Sequence, residues 1–275
     1  MHFADAQALL AGVCADVDAD LPRLVFADFL EETGHPANVA RAAFIRLQLE
    51  YDADARDAPT LVDDRNRMLE LKAMFQDEWE RAWSVEPCPV KYGHRRGFVD
   101  EIVGNLDQAL VVGPILWEDT PVTRFSIVPL MQPIRAPEGG PCFETCEEFF
   151  RQPFLARLRH LRFAQVGPGD LGEDLLRSPT MTGLRTLGFV HAECDDLGLL
   201  RLLTVIRNSE FFETLEELDF SDNRLTDQAA HALAAADWPP NFRLLKLDGN
   251  RLTAAGYAIV SGRFTRDGQR RARVI

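Results

Sequence analysis

Basic residues are in short supply: 30 Lys and Arg stand against 43 Asp and Glu, leaving a formal net charge of −13 over 275 residues. A surface of that sign repels phosphate backbones, which argues against general nucleic-acid binding. The deficit is uneven, with 17 acidic and 8 basic residues in positions 1–83. Cysteine is scarce too. Cys14, Cys88, Cys142, Cys146 and Cys194 are odd in number and widely spaced, which excludes a secreted disulfide framework and points to a reducing, cytoplasmic setting. No apolar run approaches the ~18 residues of a membrane helix, so no membrane partner is expected. Ala8–Cys14 imitates the apolar core of a signal peptide, but no basic segment precedes it and Asp5 does. It reads as an amphipathic helix of the mature protein.

Signatures of chemistry are also missing. The chain has no Walker loop, no dinucleotide-binding glycine pattern, no H-E-x-x-H and no G-x-S-x-G, so no cofactor and no enzymatic activity are expected. Cys142-x-x-x-Cys146 with Cys88 and His94 upstream is the one set resembling a metal site. Zinc sites use a second tight ligand pair, which this set lacks, so it reads as small buried thiols and no metal is assigned. Asp16, Asp18 and Asp20 alternate like calcium ligands, without the glycine or closing glutamate of such a loop. They read as a polar linker ending in an N-cap. Asp52, Asp54 and Asp57 read the same way.

What is present is a 46% hydrophobic fraction, enough for packed cores, over a length that suits one large or two moderate domains. Residues 1–83 read as helical. The first helix covers 5–15. Asp20-Leu21-Pro22 opens a second, with Pro22 in its first turn and Leu21, Leu24, Val25, Phe29 and Leu30 as the expected buried stripe. Gly34 and Pro36 end it. A third helix is expected over 39–54 and a fourth over 61–83, the latter anchored by Leu69, Leu71, Met74, Phe75 and Trp79. Residues 84–120, rich in Pro and Gly, read as a joint with a candidate first strand at Phe98–Val103.

The strongest pattern is an internal repeat. Leu215-x-x-Leu218-x-Phe220-x-x-Asn223-Arg224-Leu225-Thr226 aligns with Phe242-x-x-Leu245-x-Leu247-x-x-Asn250-Arg251-Leu252-Thr253 at a shift of 27, and the match runs on into a helix. Weaker copies begin at Leu158 and Leu184, and Val122–Ile127 is a candidate earlier one. The steps suit solenoid units carrying insertions. In such a unit two apolar residues of a short strand point inward, and the Asn bonds backbone groups of the turn and the next coil. Val166 and Ala192 replace that Asn in the earlier copies, so the ladder should be incomplete there. The plainer alternative is a pair of chance strand–helix units in an ordinary α/β domain.

These copies resemble ribonuclease-inhibitor-like leucine-rich repeats. The N-terminal half resembles a second family. Asp20-Leu21-Pro22-Arg23-Leu24-Val25-Phe26-Ala27-Asp28-Phe29-Leu30-Glu31-Glu32, Gly34-His35-Pro36 and Ala43-Phe44-Ile45-Arg46-Leu47-Gln48 are similar to the bacterial repeat-companion domain, and Arg96-Gly97-Phe98-Val99 is similar to a stretch that often follows it. Phe26, Phe29, His35 and Ala43 depart from the family pattern, and Ala37–Ala42 reads as an insertion lengthening a link. The family is defined by its association with repeats, so the resemblance implies no activity. Arg23, Asp28, Glu31 and Glu32 can cap, pair or face water.

The fold class expected is therefore α/β: a leucine-rich-repeat solenoid (121–275), with short parallel strands on the concave face and helices on the convex face, joined through 84–120 to an all-helical cap (1–83). Outward-pointing strand residues form the candidate binding surface: Arg124 and Ser126; His160, Arg162 and Ala164; Thr186, Gly188 and Val190; Glu217, Asp219 and Ser221; Leu244, Lys246 and Asp248. The charged members, Arg124, His160, Arg162, Glu217, Asp219 and Lys246, run from basic to acidic to mixed. A broad surface of this kind suits a protein or peptide partner, while any one of them serves equally as a solvated residue in a cross-strand ion pair. The rival readings are an enzyme or effector with its site in 84–150, and a structural subunit of an assembly. The terminal arginines Arg263, Arg266, Arg270, Arg271 and Arg273 read as a frayed end.

Overall fold

The computed structural model describes residues 3–52, 58–81, 90–129, 148, 150–165, 167, 169–266, 269–270 and 272–275. The chain is α/β, with an open, mostly parallel sheet of eight strands. It forms two compact units. One holds the residues up to Ile102 with Val111–Val122; the other holds Val103–Leu110 with the described residues from Thr123 onward. No helix among the described residues is long and apolar enough to cross a membrane.

The first unit begins with α1 (Phe3–Ala15), α2 (Leu21–Glu32), α3 (Pro36–Asp52) and α4 (Ala58–Glu80), followed by a hairpin of β1 (Lys91–Arg95) and β2 (Phe98–Gly104). Val13, Phe26, Ala27, Leu30, Ala42, Ile45 and Phe98 share one core; Ala40, Phe44 and Leu71 share another with Phe75 and Trp79 against it. The expected α2 stripe is displaced by one step. Leu21, Leu24 and Val25 are exposed, and the buried positions are Arg23, Phe26, Ala27 and Leu30. The cause is Arg23, whose guanidinium lies 5.2 Å from the Phe98 ring centre, so a residue that looks polar marks the inner face. On α4, Leu69 and Met74 are likewise exposed while Leu71 is buried. Residues 37–42 are no linker: Pro36 starts α3, where its missing N–H costs nothing, and Ala37, Ala40, Arg41 and Ala42 are buried within it. Asp20 makes no side-chain cap on α2, because its carboxylate binds Arg96 instead. In the stretch read as joint, β2 covers the expected strand, and α5 (Leu106–Asp119) is a helix that the Pro and Gly content concealed.

The motif residues interlock. Arg46 bonds both Asp28 and Glu31 at 2.7 Å, tying α3 to α2. The hairpin turns at Arg96 and Gly97, both with positive φ (52° and 84°), the two-residue geometry that matches strand twist. The Gly97 N–H donates to Gln48 Oε1 at 2.6 Å, and a Cβ on Gly97 would stand 2.6 Å from the Ile45 Cα. Only glycine fits there. Arg96 donates to the Asp18 carbonyl at 2.6 Å. These pairs settle the roles of Asp28 and Glu31 as interhelical partners.

The second unit is built from β3 (Arg124–Ile127), β4 (His160–Ala164), β5 (Thr186–Val190), β6 (Glu217–Asp219) and β7 (Leu244–Lys246), with helices α6 (Gly169–Leu176), α7 (Asp196–Arg207), α8 (Asp227–Ala235) and α9 (Ala254–Arg263) between or after them. A small antiparallel pair, β8 (Thr265–Arg266) and β9 (Gln269–Arg270), precedes β10 (Arg273–Val274), which lies parallel to β7. The terminus is thus not frayed at Arg273: the Leu247 N–H donates to the Ile275 carbonyl at 2.6 Å, and Ala272 is buried. All the described pairings from β3 through β7 are parallel, with Leu161, Leu187, Leu218 and Leu245 in one column. All four are essentially without solvent contact. Phe163, Phe189 and Phe220 stack beside them at 5.2 and 5.3 Å, close to the strand spacing. After β4, β5, β6 and β7 the chain turns through a left-handed residue: Gln165, His191, Asp222 and Gly249.

Asn223 and Asn250 follow their strands as the pattern requires. Asn223 accepts the Ala192 and Cys194 N–H groups at 3.1 and 3.0 Å and donates to the carbonyls of Phe189, Phe220 and Ser221. Asn250 accepts from Leu225 at 3.1 Å and donates to Phe220 and Leu247. A second ladder was not anticipated. The Asp196 carboxylate accepts both the N–H and the Oγ1–H of Thr226, and Asp227 does the same for Thr253. Each Thr in turn caps its own helix. Those two donors hold the Asp227 carboxyl below the usual carboxylate range.

Candidate binding face

In a strand, alternate side chains point to opposite faces, so the buried Leu and Phe columns put their neighbours on the other face. The register sorts these into rows. One row is Arg124, His160, Thr186, Glu217 and Leu244, extended by Arg273. The next is Ser126, Arg162, Gly188, Asp219 and Lys246. All six charged candidates therefore share one face, with Arg124, His160 and Arg162 on β3 and β4, Glu217 and Asp219 on β6, and Lys246 on β7.

The acidic end is internally matched. Asp219 lies 3.7 Å from Lys246, and Glu217 lies 3.1 Å from Arg243. Arg243 also bonds Glu216 at 2.8 Å, and Arg185 reaches the same carboxylate at 3.8 Å. Solvent-reaching pairs of this kind each contribute only a few tenths of a kcal/mol, up to about 1; they set local register and spend the charge that a basic partner would have met. The middle of the face is closed as well. Gly188 and Val190, expected to point outward, are buried; a Cβ on Gly188 would meet Arg162 Cγ at 3.4 Å and Asp219 Cβ at 3.6 Å, so the neighbouring side chains fold over it. Arg162 is exposed, and Arg124 and His160 are half-buried. The residues missed were Arg185, Glu216 and Arg243. Their signal was available: they occupy the first x position after the leading Leu184, Leu215 and Phe242 of each copy.

In the first unit, His94 on β1 is buried with only 1% of its side chain exposed, 3.4 Å from the Glu80 carboxylate and edge-on to Phe44 at 5.8 Å. Burial, with Arg41 and Lys72 adding, pushes its pKa down to about 2; burial also raises that of Glu80. Arg41, stacked at 5.1 Å over Trp79, and Arg23 are both lowered to about 10, chiefly by burial. This neutral imidazole packs edge-on against Phe44 inside the first unit. No group of three or more His, Cys, Asp or Glu side chains among the described residues is placed to hold a metal; Cys88, Cys142 and Cys146 lie outside the described residues. Cys194 is buried beside Asp195 and Asp196, and its thiol is pushed up to about 12, away from the thiolate that reactivity needs.

Comparison with known proteins gives no match, either to a family model or to a curated protein sequence.

Proposed function

We propose that this chain is a non-enzymatic, cytoplasmic interaction module: a leucine-rich-repeat solenoid carrying a cap of the repeat-companion type, which binds a protein or peptide across the concave face of its sheet. The observation that carries the reading is the asparagine ladder. Asn223 and Asn250 sit at the same step of successive coils and bond backbone groups of the coil before, the device by which stacked repeats satisfy their turns. A stack of that kind offers a wide, shallow surface suited to a macromolecular partner. The exposed Arg162 puts a positive charge on this face, so association is steered by acidic groups on the partner.

The test is photocrosslinking in the native host, with a photoreactive side chain replacing Arg162 or Lys246 on the sheet, or Arg201 on α7. The same protein should be captured from both sheet positions and not from Arg201. Capture from Arg201 alone would move the interface to the helices and overturn the reading.

A further inference from the structure

We infer that the last coil carries a second binding site, away from the strand face: an aromatic cleft that takes an apolar group bearing a carboxylate, as presented by the C-terminal residue of a peptide ending in a large apolar side chain. The cleft holds about 350 Å³ and is lined by Trp238, Pro239, Pro240, Phe242, Arg263 and Phe264, a volume at the lower end of small-ligand sites. Its residues come from the link into β7 and from the end of α9, not from the outward positions of the strands.

Three rings form the wall. Trp238 stands 4.3 Å from Phe242 and 5.0 Å from Phe264, the latter at 67°. Phe242 and Phe264 are buried, whereas Trp238 is half-buried and Pro240 is exposed, so the cluster is open on one side. The wall is rigid: Pro239 and Pro240 fix the backbone, and the indole N–H is held by the Leu233 carbonyl at 3.0 Å. Because that donor is occupied, the ligand must be apolar against the rings and cannot rely on the indole as a hydrogen-bond donor. Recognition of a polyproline segment through an indole N–H is thereby disfavoured.

Arg263 supplies the polar half. It is exposed and meets no acidic group among the described residues. The preceding part of the same unit shows what such an arginine takes. Arg207, which likewise ends its helix, lies 4.6 Å over the Phe212 ring and bonds the Asp237 carboxylate at 3.2 Å. There the aromatic face, guanidinium and carboxylate are all present. At Arg263 the rings and guanidinium recur without the carboxylate. The negative end of the α9 dipole accounts for a basic residue at that position, but it does not account for rings left open beside it.

The full-length chain is tested with acetyl-Gly-Gly-Phe bearing a free C-terminal carboxylate, the same peptide as its amide, and 3-phenylpropionate, using saturation-transfer NMR and isothermal titration calorimetry. The free-acid peptide should bind about ten-fold more tightly than its amide, as a charge-assisted contact to arginine requires. Arg263→Gln, at an exposed position, should bring the acid down to the level of the amide and leave thermal unfolding unchanged. Trp238→Ala should remove binding of both. Peptide binding tighter than that of phenylpropionate identifies a peptide terminus as the ligand; equal binding identifies a small aryl acid, with the same chemistry at the site. The inference is overturned if neither acid binds at millimolar concentration, if acid and amide bind equally, or if Arg263→Gln changes nothing. None of these outcomes bears on the strand face.

Discussion

Replacing Asn223 by Ala removes a side chain that is only 6% exposed and that serves five backbone groups at once. Two of the five are N–H donors, on Ala192 and Cys194, and both of those residues are buried. Each buried donor left without an acceptor costs about 1–3 kcal/mol. The three carbonyls lose less, since an under-bonded carbonyl is the milder defect. The loss should therefore be about 3–5 kcal/mol, comparable to the ~2–5 kcal/mol of truncating a core leucine such as Leu218. Asn250 provides the internal control. It is half-buried and accepts from one N–H only, that of Leu225, so Asn250→Ala should cost about 1–3 kcal/mol. Urea unfolding followed by circular dichroism measures both. The diagnostic quantity is the order of the two losses, because a general intolerance of the loops would affect them alike. If Asn250→Ala costs as much as Asn223→Ala, or Asn223→Ala costs under 1 kcal/mol, the counting of unsatisfied donors is wrong.

Gly97→Ala should destabilise the first unit by several kcal/mol, since it combines a φ of 84° with a collision against the Ile45 backbone; Ile45→Ala should not rescue it, and near-normal thermal stability would refute the close approach. His94 has a folded pKa far below its unfolded value, so it stays neutral while the unfolded chain takes up a proton, and its stabilising effect is present above the unfolded pKa of about 6.5 and is lost as pH falls below it. Wild type should lose about 1 kcal/mol more than His94→Phe for each pH unit between roughly pH 6 and 5, measured as the difference in urea midpoints; equal slopes would place the imidazole in water. Glu80, with its raised pKa, works in the opposite sense at lower pH. Cys194 should resist iodoacetamide at pH 8 in the folded chain and react in urea, read by peptide mass spectrometry; rapid native labelling would mean that the coil opens.

The strands of the second unit were legible because the same apolar spacing marks several of them. The apolar columns recur in every strand segment, while the Asn and the Thr recur only in the last two, Asn223 with Asn250 and Thr226 with Thr253. The N-terminal helices of the first unit were legible as helices but not as faces. Arg23 and Arg41 are buried by lying on Phe98 and Trp79, and apolar periodicity cannot see an arginine that packs through its flat face. Once Arg23 is misassigned, Leu21, Leu24 and Val25 are drawn inside in its place. The β10 strand was hidden because two residues carry no periodicity. On the candidate face, which positions point outward followed from the alternation, but the pairing of Glu217 with Arg243 depends on a residue before the strand, which a strand-only pattern omits.

The β1–β2 hairpin sets a timetable for synthesis. Phe98 completes the core of α1–α3, and the Gly97 N–H and His94 carbonyl are what Gln48 was waiting for, more than forty residues after it. At a translation rate of roughly 5–20 residues per second, a second or more separates the end of α4 from the arrival of Phe98. Throughout that interval the nascent helices carry Phe26, Ile45 and the Arg23 guanidinium with no ring to close over them. A chain cut at the end of α4 would be left in that unfinished state permanently. A chain that has emerged from the ribosome through Val122 has the hairpin in hand and every described segment of the first unit present.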